Sequence, residues 1–199
     1  EGDFAAAVEE YQKALLNLQA THMDNEQAKK ALTTSQDRLR SIALVHEMFY
    51  QSEDLARIDL APYLRSTTSY LLSAYGVDLE KVQVEVDCSP MNVVIDTAIP
   101  LGLIAHELTS NALKYAFPEG RRGVVRVELQ KRGDSVELRV ADDGVGFPDH
   151  VRWDRPSSLG LQLVNSLTQQ LRGKIELKPG EGTCFSVRIH AGLFKAGDR

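Results

Sequence analysis

Glu107, Asn111 and Lys114 combine side chains that can serve a metal-bound phosphate. Their spacing of four and three residues places them in one row along a helix. Asn111 offers a carbonyl oxygen to Mg²⁺, Lys114 offers a point charge to phosphate, and Glu107 offers a carboxylate that acts as a base or orients water. A solvated helix face with an incidental charge pair has the same pattern, so the row alone leaves both interpretations open.

A second candidate group, Asp142-Asp143-Gly144-Val145-Gly146, follows a predicted strand. A carboxylate buried at the end of a strand can accept a hydrogen bond from an exocyclic amine, which distinguishes adenine from guanine. The two glycines allow the backbone to pass close to a bound ring. An ordinary turn is the alternative, and an Asp-Asp-Gly segment in isolation favours that alternative.

The elements that must position these residues predict an α+β fold. The helix that carries the row also has apolar residues at spacings of three and four, which predict a core-facing stripe. This stripe consists of Leu101, Ile104, Leu108, Ala112 and Tyr115. Asp96 or Thr97 is expected to cap this helix, and Asp59 is expected to cap an earlier helix from Leu60 to Tyr75 that Gly76 ends.

Alternating apolar residues predict strands over residues 82–87, 124–130, 135–141 and 183–189, with shorter strands over 92–95 and 174–177. Residues 159–171 predict a helix that Gly173 ends. Runs of strands with helices between them favour a mixed sheet with helices on one face.

The first part of the chain predicts two amphipathic helices, over residues 4–20 and from about residue 27 to Tyr50, joined by a turn. Such a hairpin cannot bury both apolar stripes alone, so we expect it to pair with a copy of itself as a dimeric four-helix bundle. Packing against the rest of its own chain is the alternative. A polar linker over residues 51–58 divides the chain into a hairpin of residues 1–56 and a second domain of residues 57–199.

Composition sets the broad class of protein. The 199 residues are 43% hydrophobic and 26% charged, which is typical of a globular protein. The net charge of −5 predicts no general attraction to nucleic acid or to acidic membranes. Two cysteines far apart in the sequence, Cys88 and Cys184, favour a reduced, cytoplasmic protein. No apolar run approaches the ~20 residues that cross a bilayer, so we expect no direct membrane contact by this chain.

Several segments, in order, resemble motifs of the GHKL ATPase superfamily, and most closely those of sensor histidine kinases. AHELTSNALKYAFP (residues 105–118) resembles the N box, and DDGVG (142–146) resembles the DxGxG box. SLGLQLV (158–164) resembles the second glycine box, and GTCF (182–185) resembles the strand that closes such domains. Residues 41–64 are similar to the histidine kinases whose dimerisation region is called HisKA_2, relatives of the HWE kinases.

The resemblance implies a Bergerat-type α/β sandwich that binds ATP and Mg²⁺. It implies that Asp142 contacts adenine, that Thr183 joins the adenine pocket through water, and that Asn111 is the metal ligand beside a catalytic Glu107. The nucleotide-binding set that it implies is Asn111, Lys114, Tyr115, Asp142, Gly144, Gly146, Arg155, Ser158, Leu159, Gly160, Leu161 and Thr183.

Residues 147–158 stand where the family has a flexible lid over the triphosphate. Arg152 and Arg155 could reach the phosphates and Trp153 could cover the site, although a solvated loop explains the segment equally well. Gly160 opens a helix whose first amides can take phosphate oxygens. Ser158 departs from the family pattern, because a glycine often stands at that position.

The implied function is the ATP-binding and dimerisation core of a two-component sensor histidine kinase, which passes the γ-phosphoryl group to a histidine and then to a response regulator. The family's phosphoacceptor histidine belongs to the first hairpin helix, and the registers near Gly2 and near Tyr11 both lack one. We therefore expect ATP binding without phosphorylation of the chain's own bundle. The alternatives are a non-phosphorylating, nucleotide-binding scaffold that docks a regulator, and a GHKL serine kinase, which the long hairpin disfavours.

Overall fold

The computed structural model describes residues 35, 36, 38–40, 43, 57–156, 158–190 and 192. The predicted first helix, the turn after it and the linker up to residue 56 lie outside the described residues. Residues 35, 36, 38–40 and 43 are helical, in agreement with the second helix predicted there. The dimer, and the division of the chain at residue 56, stay predictions.

The rest of the described chain alternates strands and helices. In chain order the elements are β1 (Ile58–Asp59), α1 (Leu60–Ala74), β2 (Val82–Cys88), β3 (Asn92–Val93), α2 (Ile95–Tyr115), β4 (Gly123–Arg132), β5 (Ser135–Asp142), α3 (Leu159–Gln170), β6 (Lys174–Leu177) and β7 (Cys184–His190). A short 3-10 turn, Pro118–Gly120, follows α2. This order confirms the predicted α+β class.

A mixed sheet of five strands carries the domain, in the order β2-β4-β5-β7-β6. β2 and β4 run parallel, whereas the other neighbouring strands are antiparallel. β1 and β3 pair separately as two short antiparallel strands. Ile58 is buried in this pairing opposite Val93, so the end of the predicted linker is already part of the folded domain.

The sheet has one apolar face and one charged face, because successive strand residues point to opposite sides. Val125, Val127 and Leu129 of β4 are buried and belong to the core beneath the helices. The residues between them face solvent and form cross-strand ion pairs, such as Arg126 with Glu85 at 2.8 Å and Arg139 with Glu128 at 3.4 Å. The helices therefore cover one face, as the sequence predicts.

The ends of α1 follow the sequence prediction closely. The Asp59 carboxylate accepts hydrogen bonds from the amides of Ala61 (3.1 Å) and Met91 (3.2 Å), so one side chain both caps α1 and ties down the turn before β3. Gly76, just beyond the helix, adopts φ +57°, a conformation that glycine reaches without steric cost.

The start of α2 differs from the prediction. Its N-cap is Val94, which has no side chain able to cap the helix, so the prediction of an Asp96 or Thr97 cap was wrong. Thr97 is buried and its amide donates to the carbonyl of Val94 at 2.9 Å, which places it inside the first turn. Because α2 begins at Ile95, β3 is also shorter than expected.

The core stripe of α2 is confirmed at Leu101, Ile104, Leu108 and Ala112, which are all buried. Tyr115 is 69% exposed, so its prediction as a core residue was wrong. The helix ends at Tyr115, and the next residue, Ala116, occupies the buried position against the loop after β5. The prediction continued the helical periodicity to the last residue of α2, and it therefore overestimated the length of the buried face.

Candidate nucleotide-binding site

Asp142 is the last residue of β5, and it is only 8% exposed. Its Oδ1 accepts hydrogen bonds from the amides of Gly144 (3.0 Å) and Thr183 (3.1 Å), so the carboxylate is fixed by the backbone on two sides. Burial raises the pKa of Asp142, while the hydrogen bonds from Thr183 and Gly144 act in the opposite direction. A carboxylate has about four acceptor positions, so this one retains capacity for a donor on a ligand.

Glycines allow three backbone segments to meet around this carboxylate. A Cβ at Gly144 would lie 2.3 Å from the carbonyl oxygen of Ala116, and a Cβ at Gly182 would lie 2.0 Å from the carbonyl oxygen of Asp142. The amide of Val145 also donates to the Ala116 carbonyl at 3.0 Å. The end of α2, the loop after β5 and the segment before β7 are therefore packed backbone against backbone.

Asp143 has a structural role that the sequence prediction missed. Its Oδ1 accepts a hydrogen bond from the Val124 amide at 2.7 Å, and its carbonyl accepts one from Arg121 at 3.0 Å. These bonds fix the loop to the start of β4, next to the Asp142 pocket. The motif resemblance separated Asp142 from Asp143, but it gave no sign that Asp143 braces the loop.

The predicted row on α2 runs from the interior to the surface. Glu107 is 4% exposed, Asn111 is half-buried and Lys114 is exposed. The Lys114 ammonium lies 4.9 Å from the centre of the Tyr75 ring, and the Tyr75 hydroxyl lies 3.0 Å from Ser110 Oγ. The residues therefore share α2 as expected, but the two charged members contact protein groups that the sequence did not predict.

The partner of Glu107 is Arg38, in the helical residues that precede the linker. Arg38 Nε donates to Glu107 Oε1 at 2.5 Å, with both side chains largely buried. No motif or spacing connects positions 69 residues apart, so the sequence prediction had no means of finding this pair.

The segment between β5 and α3 rests on α3 rather than extending over the row. The Trp153 ring packs edge-to-face against Phe185, with centroids 6.3 Å apart, and Asn165 donates to the Trp153 carbonyl at 3.2 Å. Arg152 pairs with Asp154 at 2.7 Å and lowers the pKa of Asp154 to about 2. The structure therefore places neither Trp153 nor Arg152 over the site, whereas Arg155 is exposed.

The residues at the start of α3 divide between the surface and the core. Ser158 is the N-cap residue but makes no side-chain cap bond, and both it and Leu159 are exposed. Gly160 lies against Glu107, while Leu161 is buried in the core. The Gln162 amide donates to the Ser158 carbonyl at 3.1 Å, whereas the amides of residues 159–161 precede the first bond of the helix and are available to an anion.

Thr183 is half-buried directly beside Asp142, and Gly146 has φ +84°, which only glycine adopts readily. Among the described residues, no group of three or more His, Cys, Asp or Glu side chains could hold a metal ion. No helix in the described part of the chain is long and apolar enough to cross a membrane.

The mixed sheet, the three backbone segments around Asp142 and the row on α2 define an ATPase domain of the histidine kinase type. Residues 96–193 match the family described as histidine kinase-, DNA gyrase B-, and HSP90-like ATPase, and residues 12–75 match the family described as histidine kinase. The chain belongs to the histidine kinase family, and it contains the dimerisation and ATPase modules of a sensor kinase core.

Individual relatives agree with this assignment. The chain is 30% identical to blue-light-activated histidine kinase 2 of Erythrobacter litoralis over 72% of this chain and 44% of that protein. It is 29% identical to the sensor histidine kinase PdtaS of Mycobacterium tuberculosis over 90% of this chain and 36% of that protein. The structure of the Erythrobacter litoralis EL346 blue-light activated histidine kinase is similar, with a TM-score of 0.71 and 26% identity over 82% of this chain and 55% of that chain. The chain thus spans less than half the length of these two curated relatives.

Proposed function

We propose that this chain binds Mg·ATP and is the catalytic core of a two-component sensor kinase. The reaction transfers the γ-phosphoryl group of ATP to a histidine, from which it passes to a response regulator. The observation that carries the proposal is the buried Asp142 carboxylate, which backbone amides hold at the meeting point of α2, the loop after β5 and the start of β7.

The adenine end would select its base through Asp142. The carboxylate would accept a hydrogen bond from the exocyclic amine of adenine, with Thr183 beside it. Guanine presents a carbonyl oxygen at the corresponding position, which would face the carboxylate without a proton to share. A buried polar group left unpaired in this way carries a desolvation penalty, so the pocket should discriminate against GTP.

The phosphate end would use Asn111 and Lys114 on α2, the first amides of α3, and Arg155. The half-buried Asn111 side chain offers an oxygen ligand to Mg²⁺, and phosphate oxygens would supply further ligands. When bound, Mg²⁺ neutralises charge on the phosphoryl oxygens. This domain would then position the triphosphate and neutralise its charge, with Glu107 orienting the attacking group.

Neither register of the first helix supplies a histidine, so we propose that the chain binds ATP without labelling its own bundle. Its partners would be a second copy of itself and the receiver domain of a response regulator, in the cytoplasm. The missing acceptor also favours a second candidate function, a non-phosphorylating scaffold that docks a regulator. Phosphorylation of a supplied, histidine-bearing helical hairpin would separate the two.

Asp142→Asn tests the proposal because it keeps the shape of the side chain but removes its charge. We expect ATP affinity to fall by about ten- to a hundredfold, equivalent to about 1.5–3 kcal/mol, because a charge-assisted hydrogen bond is lost. Calorimetric titration with ATP, GTP, and ATP plus EDTA is the measurement. Equal affinities for ATP and GTP in the wild type, or unchanged ATP affinity in the folded variant, would show that Asp142 is only a turn residue.

A further inference from the structure

Three separate segments of the chain meet at the carboxylate of Glu107. Arg38, from the helical residues before the linker, donates to Oε1 at 2.5 Å, and the two side chains are 14% and 5% exposed. Gly160 faces the other oxygen: a Cβ at this position would lie 2.5 Å from Glu107 Oε2 and 3.8 Å from Arg38 Nη2. The ion pair therefore lies between α2 and the first turn of α3.

This position gives Arg38 an electrostatic role. An ionised carboxylate next to the first turn of α3 would repel an anion bound by the amides of that turn, because buried charges are weakly screened. A guanidinium bonded to the carboxylate cancels most of that repulsion. It also fixes the carboxylate, since Arg is a planar donor with little freedom once bound.

We propose that Arg38 is a positioning residue: it neutralises and orients Glu107 so that the start of α3 and the neighbouring Asn111 accept a triphosphate. This role presupposes the nucleotide binding proposed above. It makes triphosphate binding depend on how the helical segment that carries Arg38 is docked on the ATPase domain. The adenine end, which contacts neither residue, is not affected.

The charged and titratable groups around Glu107 are few in the described residues. The helical segment supplies Arg38, while the guanidinium of Arg40 lies 5.1 Å from the centre of the Tyr70 ring on α1. On α2 itself, His106 is buried next to Glu107, and Lys114 is directed to Tyr75. The first turn of α3, residues 159–162, has no ionisable side chain.

The test compares ATP with adenosine in the full chain, because adenosine lacks the phosphates. Arg38→Met should weaken ATP binding about tenfold at pH 8 while adenosine affinity stays within about twofold. The double variant R38M/E107Q should bind ATP within about threefold of E107Q, because the neutral amide leaves no carboxylate charge for Arg38 to neutralise.

Arg40→Met is the matched control, since it removes an arginine of the same helical segment that contacts α1 instead of Glu107. It should leave ATP affinity unchanged. If Arg38→Met does not fold, Arg38→Lys replaces it: the retained charge should keep ATP affinity within about threefold at pH 8, and a tenfold loss would overturn the proposal.

Two further results would overturn the role of Arg38. A folded Arg38→Met that binds ATP as tightly as the wild type would show that Glu107 needs no neutralisation. A loss of ATP affinity that R38M/E107Q does not recover would show that Arg38 does not act through Glu107. A wild type that binds neither ATP nor adenosine would instead contradict the proposed function, and the role of Arg38 would fall with it.

Discussion

The adenine end and the phosphate end of the candidate site differ in the groups that form them. At the adenine end, backbone groups hold Asp142, and Gly144 and Gly182 allow carbonyls and amides to approach one another without side chains between them. At the phosphate end, charged side chains contact other side chains: Glu107 is paired with Arg38, and Lys114 lies against the Tyr75 ring. The adenine end is formed in advance, whereas Lys114 must leave Tyr75 to reach a phosphate.

The difference matters because rearrangement reduces affinity. A backbone-built pocket loses little conformational entropy when a ring enters it, so most of its hydrogen-bond energy is available for binding. A lysine that leaves an aromatic ring for a phosphate exchanges one favourable contact for another, and the net gain is the difference. The adenine end should therefore be sensitive to small changes in shape, and the phosphate end should respond mainly to charge and salt.

The largest expected effect comes from Gly182→Ala, which tests whether the adenine end is built from the backbone. The new methyl group would lie 2.0 Å from the Asp142 carbonyl oxygen, and φ +74° is unfavourable for alanine. We expect a loss of about 2–4 kcal/mol in the free energy of unfolding, together with loss of measurable ATP binding. Thermal unfolding and calorimetry are the measurements.

Gly180→Ala in the same loop is the control for this change. A Cβ at Gly180 would have no atom of the described residues within 4 Å, so this variant should keep both stability and ATP affinity. If Gly182→Ala behaved like Gly180→Ala, the close backbone packing around Asp142 would not be needed for binding.

Most of the adenine end could be predicted from the sequence, because it depends on local patterns. Alternation predicted a strand that ends directly before Asp142, and the glycines after it indicated a close backbone approach. The Asp59 cap was predictable for the same reason, since its carboxylate bonds an amide two residues away. Such local geometry is determined by neighbouring residues, so the local sequence is enough to predict it.

The phosphate end was predicted in its residue types but not in its contacts. The pairing of Glu107 with Arg38 joins residues distant in sequence, and the position of Trp153 depends on Phe185, on a different strand. The exposure of Tyr115 depends on where α2 passes the edge of the core, which helical periodicity does not report. A long side chain can reach several partners, and tertiary packing determines which of them it contacts.

Lys114→Met tests the phosphate end, and we expect a moderate effect on ATP affinity. Removing an exposed positive charge should weaken ATP binding about three- to tenfold at low salt, and the deficit should narrow as salt screens the interaction. Adenosine affinity should not change. Titrations of both ligands at two salt concentrations are the measurement.

Lys131→Met serves as the control for Lys114→Met, because Lys131 pairs with Val136 at the end of the sheet opposite Asp142 and is also exposed. An equal loss of ATP affinity in both variants would mean that Lys114 contributes only to the overall charge. A deficit confined to Lys114→Met would place a phosphate near α2.

The smallest expected effect is the pH dependence of adenosine binding, which isolates the adenine end from the phosphates. Burial raises the pKa of Asp142, so the carboxyl group takes up a proton at a higher pH than an ordinary aspartate does. Because folding raises this pKa, protonation favours the folded state: the contribution of Asp142 to stability rises as pH falls through its raised pKa.

The affinity for adenosine depends on pH in the opposite direction, since the ionised carboxylate is the better acceptor for an amine. Adenosine affinity should therefore fall about two- to fivefold between pH 7.5 and pH 5 in the wild type, and it should stay flat in Asp142→Asn, which cannot titrate. Calorimetry at several pH values provides both profiles. A wild-type profile parallel to that of Asp142→Asn would show that the ligand's amine does not meet this carboxylate, and the contrast between the two ends of the site would then lose its main support.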